Sequence, residues 1–209
     1  MSFKKLTSAV AVAAVCGMAT NSSFAAAVQL QVTVQNNAPA GGVAITPLWV
    51  GFHDGSFDSY DGGSPAGSVL ESLAELGMTG PISDLFAGTT MGGPIDGRVQ
   101  GAIANGGPTF AGGSATQQFT VDDAGANTYF SYAAMVLPSN DFFVANGNPF
   151  AHSLSSLFNG SASTISFEIG TVGTINDAGT EINDFLFSPA TPFSGLQPAM
   201  HQGARLKTA

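Results

Sequence analysis

An all-β sandwich with one short helix inserted in a loop is predicted by three observations. Val28–Gln35 and Ala162–Ile169 alternate apolar and polar residues, the period of a half-buried strand. The 209 residues include 27 Gly and 11 Pro, which break the chain too often for long helices. One segment alone, Pro65–Leu76, combines a cap, a first-turn proline and an apolar stripe.

Along the chain, Lys4 and Lys5 precede an apolar run from Ala9 to Ala19, and small residues follow at Ala25, Ala26 and Ala27. That layout is a secretory signal peptide, which places the leader at residues 1–27. A retained membrane anchor would need a longer apolar run. A lipoprotein signal at Cys16 would need a small residue where Val15 stands. The sandwich domain then spans residues 28–190, and a Pro-punctuated tail follows from residue 191 to 209. Val28-Gln-Leu-Gln-Val-Thr-Val-Gln35 is the first strand, and Asn36–Gly42 is a turn. Ala44–Phe52 is a second apolar run, with Pro47 marking an edge or a late start. His53–Gly63, HDGSFDSYDGG, is a loop by composition. Ser64 as N-cap, Pro65 at the first helical position, a stripe of Leu70, Leu73, Ala74 and Leu76, and Gly77 as terminator set the helix over Pro65–Leu76. Gly80–Gly113 is a long ordered loop with short strands that carries Arg98. Ser114–Val121 has strand character, and Thr128–Leu137 is apolar enough for a central strand. Ala162–Ile169 follows, and Asn183–Phe187 is the last strand expected. Many short strands with one helix indicate a sandwich.

Charge narrows the function classes. Only 9% of the chain is charged, with 5 basic residues against 14 acidic ones. Removal of the leader takes Lys4 and Lys5 with it, together with Cys16, the single cysteine. The exported domain is then held without disulfides, which a domain of this size can manage. Arg98, Arg205 and Lys207 are its remaining cations, so its field disfavours nucleic acid and anionic lipid and suits divalent cations. The same acidity also serves simple solubility.

No G-x-S-x-G elbow, no phosphate-cradling Gly-Lys loop and no zinc-type spacing of His53, His152 and His201 occurs. His53 beside Asp54 is the one pair of interest for hydrolysis, and adjacent residues of a strand point to opposite faces. A secreted hydrolase using His53 and loop carboxylates is therefore the second reading. Calcium chemistry fits the composition better: the ion takes six to eight oxygens from loop carboxylates and carbonyls. Asp54, Asp58 and Asp61 in the first acidic loop lack EF-hand spacing. The second loop, Asn176-Asp-Ala-Gly-Thr-Glu-Ile-Asn-Asp184, gathers Asp177, Glu181 and Asp184 around Gly179, which lets the chain fold back. From these residues alone a solvated turn is the simpler reading.

Three blocks carry a resemblance. They are Ile45–Leu76 (ITPLWVGFHDGSFDSYDGGSPAGSVLESLAEL), Ser131–Val144 (SYAAMVLPSNDFFV) and Asp177-Ala-Gly-Thr-Glu181. In this order they resemble the bacterial form of the spondin N-terminal domain family. The resemblance implies a C2-like antiparallel β-sandwich that binds Ca²⁺ through loop carboxylates. It assigns the ligands to Asp141, Asp177 and Glu181, with Glu181 standing where the family usually has Asp. It also implies a non-enzymatic adhesion or matrix module, secreted or periplasmic, with a protein or glycan partner at the cell surface and no membrane insertion once the leader is gone. A glycan-binding sandwich, the third reading, would need Trp49, Tyr60 or Phe142 lined up on one surface, although Trp49 in an apolar strand is more often core.

Overall fold

The structure, a computed structural model, describes residues 8–15, 27–91, 93, 95–101, 106–121, 125–170 and 175–181. It is an antiparallel sandwich, as the alternating segments require, with a helical layer added on one side. The first sheet has the order β6-β2-β1-β9, with β1 Ser8–Val15, β2 Val28–Asn36, β6 Ser114–Val121 and β9 Thr164–Ile169. The second runs β10-β8-β7-β4-β5, with β4 Leu48–His53, β5 Ile95–Val99, β7 Tyr129–Leu137, β8 Phe142–Ala145 and β10 Ile175–Asp177. The two-residue β3, Ala44–Ile45, also pairs with β7.

The period-two segments fold as read. In β2, Leu30, Val32 and Val34 are buried while the residues between them are partly exposed. β6 matches the predicted span, and β9 begins two residues later than expected, at Thr164. β7 is apolar throughout because it is covered twice. Phe130, Tyr132, Ala134 and Val136 pack into the core between the sheets, and Ala133 belongs to a second core under the helices. β4 divides the same way: Val50 and Phe52 join the first core and Trp49 the second. Gly51 is where a side chain would not fit, because a Cβ there would lie 2.7 Å from Trp49 Cη2 and 2.9 Å from Phe86 Cε2.

Thr46-Pro47 separates β3 from β4, and the register against β7 slips by one residue, from Ile45↔Val136 to Trp49↔Ala133. Proline has no N–H for the ladder. Thr46 compensates: its N–H donates to the Met135 carbonyl (3.1 Å), and its Oγ1 accepts the Met135 N–H (3.0 Å). β4 thus starts at Leu48, directly after Pro47, as the late-start reading expected, and Thr46-Pro47 forms a bulge in the pairing with β7.

The helical layer differs from expectation in two respects. The first helix, α1, runs Ser68–Leu76, with Gly67 as N-cap, so Ser64 and Pro65 lie ahead of it. Its end is as read: Gly77 is left-handed (φ 64°) and its N–H caps the Leu73 carbonyl. A second helix, α2, spans Gly80–Thr89 inside the segment read as a loop. Pro81 suits its first turn, and Ile82 and Phe86, one turn apart, are buried in the second core. A one-turn α3, Ser155–Phe158, follows β8. The expected strand Asn183–Phe187, the end of the domain, the tail, Asp184 and His201 lie outside the described residues.

Residues 8–15, assigned by sequence to the apolar part of the leader, form β1. It pairs antiparallel with β2 from Ser8↔Asn36 to Val15↔Gln29, and with β9 from Ser8↔Ile169 to Ala13↔Thr164. An eight-residue apolar run with valine at positions 10 and 12 suits a strand as well as a leader, since periodicity alone does not separate the two. No helix among the described residues is long and apolar enough to cross a membrane.

Candidate metal centre

The residues around Asp141 are brought together by the pairing of β8 with β10. Asp177 sits opposite Phe142, so Asp141 and the turn after Asp177 lie side by side, and the Ala178 N–H donates to the Asp141 carbonyl (3.1 Å). Upstream, Ser139 shapes the entry to β8. Its hydroxyl donates to the Val136 carbonyl and accepts the Phe142 N–H. Downstream, Gly179 takes a left-handed conformation (φ 68°), and its N–H donates to Asp177 Oδ1 (2.8 Å). That turn aims the N–H groups of Thr180 and Glu181 at Asp141 Oδ2, both at 3.3 Å.

Asp141 is 0% exposed. Two long amide hydrogen bonds serve one of its oxygens, while Oδ1 is buried with no hydrogen-bond partner. Its carboxyl also meets that of Asp177. Burial first, and then the negative charge of Asp177, push Asp141 up from 3.8 to about 6, against the smaller pull of the two amides. Two further buried oxygens lacking a partner lie on the same segments: Asn140 Oδ1 beside Asp141, and Thr180 Oγ1 in the turn after Asp177. Buried acceptors are normally satisfied, and each one left over costs on the order of 1–3 kcal/mol. These three oxygens lie on the two segments that the β8–β10 pairing joins, and Asp177 is near enough to Asp141 to act on it by its charge. Buried oxygens of this kind are the ligand type that a hard cation such as Ca²⁺ takes.

Of the residues named from sequence, the structure joins Asp141 and Asp177. Glu181 takes part through its N–H, and its side chain is exposed. Among the described residues, no three His, Cys, Asp or Glu side chains converge. Two more unserved buried oxygens belong to Asn140 and Thr180, which the sequence reading passed over. Their signal was adjacency: each neighbours a named acid on a strand end or turn. In the first acidic loop the carboxylates are exposed and serve the loop itself. Asp54 Oδ1 accepts the Ser56 N–H (2.9 Å), and Asp58 Oδ1 accepts the Tyr60 N–H (3.4 Å).

His53 is 0% exposed and lies within 2.8 Å of Ser131 Oγ, an arrangement resembling a nucleophile and its base. The proton is on the wrong nitrogen. The Gly55 N–H donates to His53 Nδ1 (3.0 Å), so Nδ1 is the acceptor and Nε2–H donates to Ser131. Asn146 Nδ2 donates to the same hydroxyl (3.0 Å) while its Oδ1 accepts the Tyr132 N–H (2.8 Å). Burial lowers His53 to about 4, outweighing the nearby charge of Asp54. This is a neutral histidine tying β4 to β7, without a free lone pair for Ser131. The three aromatics named for glycans do not line one surface. Trp49 (1% exposed) and Phe142 (2%) are core residues, and half-buried Tyr60 packs edge-on to Phe143 at 5.4 Å.

No protein-family model matches the chain, and no curated protein matches it in sequence.

Proposed function

We propose that this protein is an exported, calcium-binding sandwich domain of spondin type that acts in adhesion or matrix interaction and not as an enzyme. The observation that carries the calcium reading is Asp141, a carboxylate wholly out of water with one oxygen unserved and Asp177 against it. A cation between the two would relieve both the unmet acceptor and the repulsion. Asp141 and Asp177 are the side-chain ligands favoured here. Asn140 Oδ1 and Thr180 Oγ1 are added to them, and Glu181 helps by donating its N–H to Asp141. The ion's role is to clamp the start of β8 to the end of β10 in a domain without disulfides.

The spondin type, export and adhesion rest on the sequence blocks, the leader pattern and the acidic composition. The buried, wrongly protonated His53 favours a module over the hydrolase reading. The calcium test is thermal unfolding of chelator-treated protein with and without added Ca²⁺. A rise in Tm that disappears in both Asp141→Asn and Asp177→Asn is expected. An equal rise in those variants, or none in the wild type, would remove the calcium claim. Adhesion is tested by pull-down from cell envelopes with and without chelator, where a chelator-sensitive partner is the result expected.

A further inference from the structure

The placement of β1 has a consequence for the chain after export. Both long edges of β1 are paired, to β2 on one side and β9 on the other. If residues 1–27 are removed, as the leader pattern expects, two rows of backbone N–H and C=O groups lose their partners. β2 and β9 would then face each other across two strand spacings, about 9.6 Å.

Closing that gap would be difficult. Since β2 and β9 are each antiparallel to β1, they are parallel to one another, so closure would require a new parallel pair. Both walls are also anchored. β2 is paired along its length to β6, from Val28↔Val121 to Gln35↔Ser114, and its Leu30, Val32 and Val34 sit in the core. β9 is held by the stacking of Phe167 on His152, centroids 3.7 Å apart, and on Tyr132 at 5.6 Å, with Ile169 fully buried. Moving either strand by the required ~4.8 Å would undo this packing.

We propose that the position between β2 and β9 is a strand-acceptor slot. In the exported chain it would take an extended, uncharged peptide strand with small aliphatic side chains, running antiparallel to both walls. The proposal rests on the leader reading and on the segment now seated there. Ser8–Val15 reads SAVAVAAV, without a charge and with nothing larger than valine. Its positions 10 and 12 fall opposite Val34 and Val32 of β2, and opposite Phe167 and Ile165 of β9. These residues form the inner, apolar rows of the walls; the outer rows are Gln31, Thr33 and Gln35 on β2, and Ser166 and Glu168 on β9. An incoming strand would gain ladder hydrogen bonds on both sides, the mode by which strand addition gives affinity, and the apolar rows would select for small aliphatic residues.

The test uses the full chain with a protease site inserted within residues 17–26. The protein is folded, cut, and incubated with an excess of a labelled synthetic peptide of Ser8–Val15. The expected result is one peptide incorporated per chain, with hydrogen exchange at the β2 and β9 amides at least ~10-fold slower than in the cut chain freed of its strand. The same peptide with Val12→Pro should not enter, since proline cannot donate to a ladder. Retained protection of β2 and β9 without any strand would show that the gap closes, and would overturn the proposal. Equal uptake of the proline peptide, or unchanged β2 protection in the intact Val12→Pro chain, would do the same. Mass spectrometry of the exported protein's N-terminus tests the leader reading separately.

Discussion

Replacing Asp141 by Asn should stabilise the calcium-free protein at neutral pH while abolishing its response to calcium. Asn keeps the shape and an acceptor for the Thr180 and Glu181 amides, and it adds an N–H₂ that can face Asp177. Asp141 is pushed from 3.8 to about 6, so above pH 6 its ionised form costs the folded state about 3 kcal/mol. The sign follows from proton linkage. Between about pH 4 and 6 the folded chain holds the proton more tightly than the unfolded one, so this group's stabilisation is present below pH 4 and lost as the pH rises. His53 and His152, both lowered to about 4 chiefly by burial, act oppositely and remove stability as the pH falls from 6.5. The Asp141 contribution is therefore read as wild type minus variant, by urea denaturation across pH 4–8 in chelator. At pH 7 the Asn variant should be about 2–3 kcal/mol more stable, with the difference vanishing near pH 4. With calcium at a hundred times its Kd, wild type should gain about 2.7 kcal/mol and the variant nothing. A calcium-free variant less stable than wild type at pH 7, or one that keeps the calcium gain, would refute the reasoning.

Other expectations follow from the packing. Gly51→Ala forces a methyl against the Trp49 and Phe86 rings and should cost about 1–3 kcal/mol, read from the denaturation midpoint; an unchanged midpoint would contradict the close approach. Thr46→Val leaves the buried Met135 N–H without its acceptor and should cost about 1–3 kcal/mol by the same measure. By NMR, His53 should show the Nε2–H tautomer and remain neutral down to about pH 4; titration near 6.5 would show that it is not buried as described.

Where burial is one-sided, the sequence speaks directly. β2 was legible because it buries Leu30, Val32 and Val34 in alternation, and β6 because Ala115, Phe119 and Val121 face the core. β7 was legible as central for the opposite reason: it is covered on both faces and reads as a continuous apolar run. α2 was obscured by Gly80 and Pro81, which read as loop residues but occupy a helix start, where a missing N–H does no harm. β10 is three residues of mixed polarity, and pairing with β8 makes it a strand without any periodic signal. The same pairing explains the site. Asp141 and Asp177 could be named from their blocks, but which atoms are buried and unserved depends on long-range register, as with Asn140 and Thr180.

Terbium luminescence tests the metal centre most directly. Tb³⁺ is a hard cation that emits when a nearby aromatic ring is excited, and Tyr60, hydrogen-bonded to Asn176 next to Asp177, lies close to the proposed site. Titration of chelator-treated wild type at pH 7 should give sensitised emission that saturates at one ion per chain, is displaced by Ca²⁺, and is lost in Asp141→Asn. No saturable emission from wild type, or undiminished emission from the variant, would contradict a cation bound between Asp141 and Asp177.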